Sequence, residues 1–168
     1  MAGVILSPVL KVVDLEHIRM FSHNQIPLIT LEAIQGFTVD HVAFEDEQGG
    51  YLAARHLLDR GHRRLVYLAG PVTSLASEQR LAGFRRALGE AGLAWDEAAQ
   101  VERAGATTAG GAEAARRVLA RAAGQRPTGV FCFNDVVAMG LYKAAAQAGV
   151  SIPRQLSVVG FDDIEMAA

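Results

Sequence analysis

Residues 126–140 read RPTGVFCFNDVVAMG, and they decide the fold. Val130, Phe131, Cys132 and Phe133 make an unbroken apolar run, the pattern of a strand buried on both faces of a parallel sheet. Asn134 and Asp135 interrupt it, and a second apolar stretch begins at Val136. Asn is a good helix N-cap and Asp suits the positive end of the helix dipole, so the pair reads as the start of a helix. The pair also lies at the carboxyl end of a strand, where ligands settle in open α/β sheets. The segment is one β-α unit whose turn can cap a helix, bind a ligand, or do both.

The same unit recurs along the chain. Leu65 to Ala69 is a strand broken by Gly70-Pro71, and Ser77 to Ala91 is its helix, with Leu81, Phe84 and Leu88 spaced by three and four and Gly92 as the stop. Gly49 to Arg60 is a helix closed by Gly61, and Thr107 to Ala123 is an alanine-rich helix after a weak strand centred on Val101. Val136 to Ala148 is the helix of the opening segment, stopped by Gly149, and Leu156 to Phe161 is a last strand. Toward the start, Val4 to Leu6, Ile26 to Leu31 and His41 to Phe44 read as strands, with an imperfect amphipathic helix from about Val12 to Asn24. Repeated β-α order requires mostly parallel strands with covered faces, an α/β fold. The polar stretch Gln35 to Asp46 is the expected crossover between two lobes, 1–45 and 46–168. A parallel strand at Leu156 to Phe161 calls for a covering helix, and only FDDIEMAA remains beyond it, so that face is expected to be covered by something else.

Bulk properties narrow the function. A hydrophobic content of 51% with 20% charged residues belongs to a globular chain, and a net charge of −2 argues against a free-standing nucleic-acid binder. The pairs Arg63-Arg64, Arg85-Arg86 and Arg116-Arg117 are too short to form a basic stripe. Cys132 is the only cysteine; its apolar neighbours make it a buried thiol. The opening residues MAGVILSPVLKVVD lack a basic n-region and meet Pro8 and Lys11 too early for a signal peptide or membrane span, so a cytoplasmic location is expected.

Catalytic signatures are missing from the sequence. There is no G-x-S-x-G elbow, no G-x-x-x-x-G-K-[ST] phosphate loop and no G-x-G-x-x-G, and Gly49-Gly50 is too sparse to serve as one. His17 and His23, like His56 and His62, are six apart, a poor spacing for metal ligands on one helix face. No cofactor, metal or catalytic residue is expected.

What the sequence does offer is polar groups at strand ends. Asp46 and Glu47 follow the third strand; Thr73, Ser74 and then Arg80 follow Leu65 to Ala69; Asn134 and Asp135 follow the opening strand; Asp162 and Asp163 follow the last. In a doubly wound sheet these reach one rim. Guanidinium, amide and carboxylate groups that bind neighbouring hydroxyls are what polyol recognition requires. Binding is therefore the expected activity. Each group also has a plainer role open to it: Arg80 as a surface residue, Asn134 and Asp162-Asp163 as helix caps.

The strings GHRRLVYLAGP, SLASEQRLAGFRRAL, PTGVFCFNDVVAMG and IPRQLSVVGFDDIEMA resemble the effector-binding core of the lactose/galactose repressor family of bacterial transcription regulators, in order and from Gly3 to the end. The resemblance implies a periplasmic-binding-protein-like fold with two Rossmann-like lobes, a small sugar-like effector in the cleft, and homodimers. It also implies that operator DNA is bound only through a separate N-terminal helix-turn-helix domain, which is expected to be absent from this chain. By position, Arg80 is expected to grip effector hydroxyls or a carboxylate, Asn134 to donate and accept hydrogen bonds, and Asp162 to bind hydroxyls from the other side. Asp46 and Ser74 complete the expected effector-binding set. Asp135 is expected to be chiefly structural, and Arg80→Ala to abolish binding while leaving the fold intact.

Compared with the family, the chain is expected to be truncated at both ends, with the N-terminal lobe incomplete and the last elements of the C-terminal lobe missing. Two further departures matter. Glu47 stands where the family often has Asn, and Ala106 stands where several sugar-binding relatives place an aromatic ring. The first rival reading is the sugar-binding protein of a transport system, distinguished by whether a signal sequence or a helix-turn-helix lies upstream. An α/β enzyme is the second, distinguished by turnover of a sugar or phosphate.

Overall fold

A computed structural model describes residues 3–7, 15–32, 34 and 36–167. Two compact units divide the chain, Met1–Glu45 with Thr73–Leu75, and Asp46–Val72 with Ala76–Ala168.

The first unit is a three-stranded parallel sheet of β1 (Val4–Leu6), β2 (Leu28–Thr30) and β3 (Asp40–His41), in that order, with α1 (Leu15–His23) between β1 and β2. Side chains alternate across each strand. Ile18 of α1 and Thr30 of β2 are fully buried, whereas Ile5 and Ile29, at paired positions of β1 and β2, remain exposed. The expected helix from about Val12 begins, among the described residues, at Leu15, since 12–14 lie outside them, as does Gln35 at the start of the expected crossover. The third strand sits earlier than its apolar residues suggest: Asp40 and His41 pair with β2, and Phe44 is left exposed.

The second unit contains α2 (Asp46–Asp59), β4 (Leu65–Ala69), α3 (Leu75–Glu90), α4 (Glu97–Gln100), β5 (Val101–Arg103), α5 (Thr108–Leu119), β6 (Gly129–Cys132), α6 (Asp135–Gln147), β7 (Ser157–Val159) and a 3-10 turn at Glu165–Ala167. Its four strands are parallel in the order β5-β4-β6-β7. The apolar runs of β4 and β6 are buried throughout, and strand alternation deals them to two cores. Val66, Leu68, Val130 and Cys132 pack with α5 and α6. Leu65, Tyr67, Ala69 and Phe131 pack with α2 and α3, where the Tyr67 and Phe131 rings stack at 4.9 Å.

The parallel α/β architecture is the one the sequence calls for. Gly61, Gly92 and Gly149 stop their helices with positive φ. The short α4 was not foreseen; its signal is Asp96, whose carboxylate accepts from the Ala98 and Ala99 amides and starts a single turn. The last strand ends at Val159, so Phe161 leaves the sheet and belongs to a loop.

Candidate effector site at the carboxyl rim of the second sheet

The site grows from the close approach of α2 and α3. A Cβ at Gly50 would collide with the Arg80 carbonyl, and one at Gly83 would collide with the Glu47 carbonyl, so the two backbones touch only because both positions are glycine. This contact brings Asp46, the first residue of α2, against Arg80 of α3. Arg80 Nε donates to Asp46 Oδ1 at 2.7 Å, and both side chains are 7% exposed. Arg80 Nη1 donates to the Phe133 carbonyl at the end of β6. Two aromatic rings flank the same guanidinium, Phe161 with its centroid 3.6 Å away and Phe133 with its centroid 4.9 Å away. Gly49 leaves room for this: a Cβ there would strike the Phe161 ring.

Arg80 is thus fixed in position, and its Nη2 lies 3.9 Å from Asp162 Oδ1, too far for a hydrogen bond. Asp162 is the wettest member of the group, with 41% of its side chain exposed. Partial burial pushes its carboxyl above the usual aspartate range; Arg80 opposes that, and the charges of Asp135 and Asp46 add to it. Two carboxylates, those of Asp46 and Asp162, therefore lie within 4 Å of one guanidinium here. Asn134 caps α6, its Oδ1 accepting from the Val137 amide at 2.9 Å. That bond occupies the acceptor and leaves the amide nitrogen without a hydrogen bond among the described residues.

Four of the five expected residues, Arg80, Asp46, Asp162 and Asn134, thus belong to the second unit, where Arg80 contacts Asp46 and Asp162 directly and the Phe133 carbonyl beside Asn134. Ser74 falls in the segment assigned to the first unit. One expectation changes. Arg80 is buried rather than a surface residue, and its removal would strand Asp46 as an unpaired buried carboxylate, so Arg80→Ala cannot leave the fold untouched. Asp46 Oδ1 accepts from Arg80 and orients it.

Sequence reasoning missed the aromatic walls. Phe133 and Phe161 each stand immediately before a singled-out polar residue, in FND and GFDD, and that shared order was the available signal. It also left Arg63-Arg64 as solvated positions. A groove of about 560 Å3 at the amino ends of the strands is lined by Arg63, Arg64 and Arg121, but each guanidinium is bonded to a backbone carbonyl, those of Leu58, Arg126 and Ala99. These arginines tie loops together. Among the described residues no group of His, Cys, Asp or Glu could hold a metal ion, and no helix is long and apolar enough to cross a membrane.

Residues 54–168 match the family described as periplasmic binding protein-like domain. The chain belongs to this family. Within it, the relatives are regulators of the LacI type. The HTH-type transcriptional repressor PurR of Vibrio cholerae serotype O1 (strain M66-2) is 38% identical over 151 residues, covering 87% of this chain and 43% of the repressor. A regulatory protein of the LacI family from Chloroflexus aggregans has a matching structure with a TM-score of 0.90 and 26% identity, over 99% of this chain and 58% of that one. A LacI family transcriptional regulator from Enterococcus faecium, solved with bound ribose, has a TM-score of 0.83 and 29% identity, over 96% and 60% of the two chains. This periplasmic-binding-protein-like chain therefore spans less than half the length of the curated repressor, and it corresponds to the effector-binding core of lactose/galactose-repressor-type proteins.

Proposed function

We propose that this chain is the effector-sensing part of a bacterial transcriptional regulator, and that a small, neutral, hydroxyl-rich metabolite binds at the Arg80, Asn134 and Asp162 rim. The observation that carries the reading is the fixed guanidinium. Arg80 is held by Asp46, the Phe133 carbonyl and two rings, so its geometry is set before any ligand arrives, which is the condition for tight recognition of hydroxyl pairs. A hydroxyl entering beside Arg80 Nη2 and Asp162 Oδ1 can accept from the first and donate to the second. Asn134 adds an amide donor. An anion is disfavoured by the Asp46 and Asp162 carboxylates beside that guanidinium. The ribose-bound relative from Enterococcus faecium and a transcriptional regulator solved with cellobiose support a sugar as the class.

On this reading the effector binds one arrangement of the whole regulator better than another and so shifts its affinity for operator DNA. DNA contact belongs to a separate domain, the assembly is a homodimer, and the location is cytoplasmic. The chain is a sensor and not an enzyme. The test is calorimetric titration with D-ribose, cellobiose and a panel of related sugars and nucleosides. Saturable binding that Asp162→Asn weakens without lowering thermal stability supports the reading. Binding of a panel member that Asp162→Asn and Asn134→Ala both leave unaltered would remove this rim from the function.

A further inference from the structure

The loop from Gly160 to Ile164 delivers two of the groups that meet Arg80, the Phe161 ring and the Asp162 carboxylate. It does so in a conformation that residues with side chains rarely adopt, with φ of 103° at Asp162 and 56° at Asp163. Such backbone persists only where its surroundings over-determine it. The sheet does not supply the restraint, because β7 ends at Val159.

The restraint comes from one residue of α6. The Asp135 amide donates to the Phe161 carbonyl at 2.9 Å, and Asp135 Oδ2 accepts from the Ile164 amide at 3.0 Å. The same carboxylate lies against Gly160, where a Cβ would collide with Oδ1. Asp135 therefore grips the loop at its start, middle and end, and it is itself buried. Helix capping does not account for this carboxylate, since Asn134 already caps α6 through the Val137 amide. Nor does Asp135 take part in the hydrogen bonds that fix Arg80.

We propose that Asp135 is the positioning residue of the rim, a clamp that holds residues 160–164 so that Phe161 covers the Arg80 guanidinium and Asp162 stays beside it. Its importance for effector affinity rests on the proposed function above; its importance for the geometry does not. Asparagine keeps the shape of this side chain and one oxygen that can accept from the Ile164 amide.

The experiment compares the wild-type chain with Asp135→Ala, Asp135→Asn and Gly160→Ala by NMR, without ligand. The readout is the ring-current shift that Phe161 imposes on the Arg80 side chain. Asp135→Ala is expected to lose most of that shift, Asp135→Asn to keep it, and Gly160→Ala to lose it by pushing the loop off the clamp from the other side. If Asp135→Ala does not fold, Gly160→Ala decides alone. A wild-type shift retained in the alanine variant that folds, at either position, overturns the proposal, as does a loss in Asp135→Asn equal to that in Asp135→Ala. A second arm titrates D-ribose. Where it binds the wild type, Asp135→Ala is expected to weaken it roughly tenfold, the equivalent of one charge-assisted hydrogen bond. A wild-type chain that ignores every sugar offered, while the Arg80 shift still depends on Asp135, supports the clamp and counts against the effector reading.

Discussion

The two units use the same parallel β-α grammar and bury it differently. In the second unit, β4 and β6 are enclosed by α2 and α3 on one face and α5 and α6 on the other, and all of their side chains are buried. In the first, Ile18 of α1 and Thr30 of β2 are buried, while Ile5 of β1 and Ile29 of β2 are exposed. A strand covered on both sides is a rigid base, and its carboxyl end is where side chains can be held without their own flexibility. Phe133 follows β6 in this way, and its carbonyl accepts from Arg80. On the proposed function, the binding chemistry sits on the unit whose two central strands are buried throughout.

The largest effect that would sharpen this contrast is in the core. Phe131→Ala should destabilise the chain by about 3–5 kcal/mol in denaturant unfolding, because it empties the centre of a three-ring cluster with Tyr67 and Phe84. Ile5→Ala, on a side chain 73% exposed, should change stability by no more than about 0.5 kcal/mol. Comparable losses from the two substitutions would break the comparison. Next comes Arg80→Ala, which should cost about 3–5 kcal/mol by stranding Asp46, as well as abolishing ligand binding.

A smaller, pH-dependent effect belongs to Asp162. Its folded pKa is raised above the unfolded value, so its protonated form favours the folded state; that contribution is full below the unfolded pKa and is lost as pH rises through the folded pKa. Asp162→Asn should therefore stabilise the chain slightly at neutral pH, with the gain vanishing in acid below the unfolded aspartate range, while weakening the effector. Thermal melts across pH 3 to 7 check this, and a variant less stable than wild type at neutral pH contradicts it. Smallest of all, Cys132 should not react with a soluble thiol reagent in the native state, since complete burial pushes its thiol far above its ordinary pKa. Labelling should appear only on unfolding.

The second unit was legible in the sequence because its signals agree. Continuous apolar runs at Leu65–Ala69 and Gly129–Cys132, and glycine stops at Gly61, Gly92 and Gly149, point to one architecture. The first unit was legible in outline only: its strands are two or three residues long, and Val42 and Phe44, which suggested a strand, are exposed. The polar members of the rim could be named from strand ends. Their roles could not, because roles depend on contacts between residues distant in sequence. Asp46 and Arg80 are joined by a glycine-mediated helix crossing that no periodicity reveals, and Asp135 acts through the amide of Ile164, a backbone group invisible to side-chain patterns.

The central claim is that a small hydroxylated molecule is recognised at the rim built on Arg80. Chemical-shift mapping of the isotopically labelled chain, titrated with D-ribose, cellobiose and the related sugars and nucleosides, tests it directly. The account predicts saturable changes concentrated at Arg80, Asn134, Phe161 and Asp162 for at least one compound. Changes confined to the arginine-lined groove at the amino ends of the strands, or no saturable change for any compound at millimolar concentration, would contradict it.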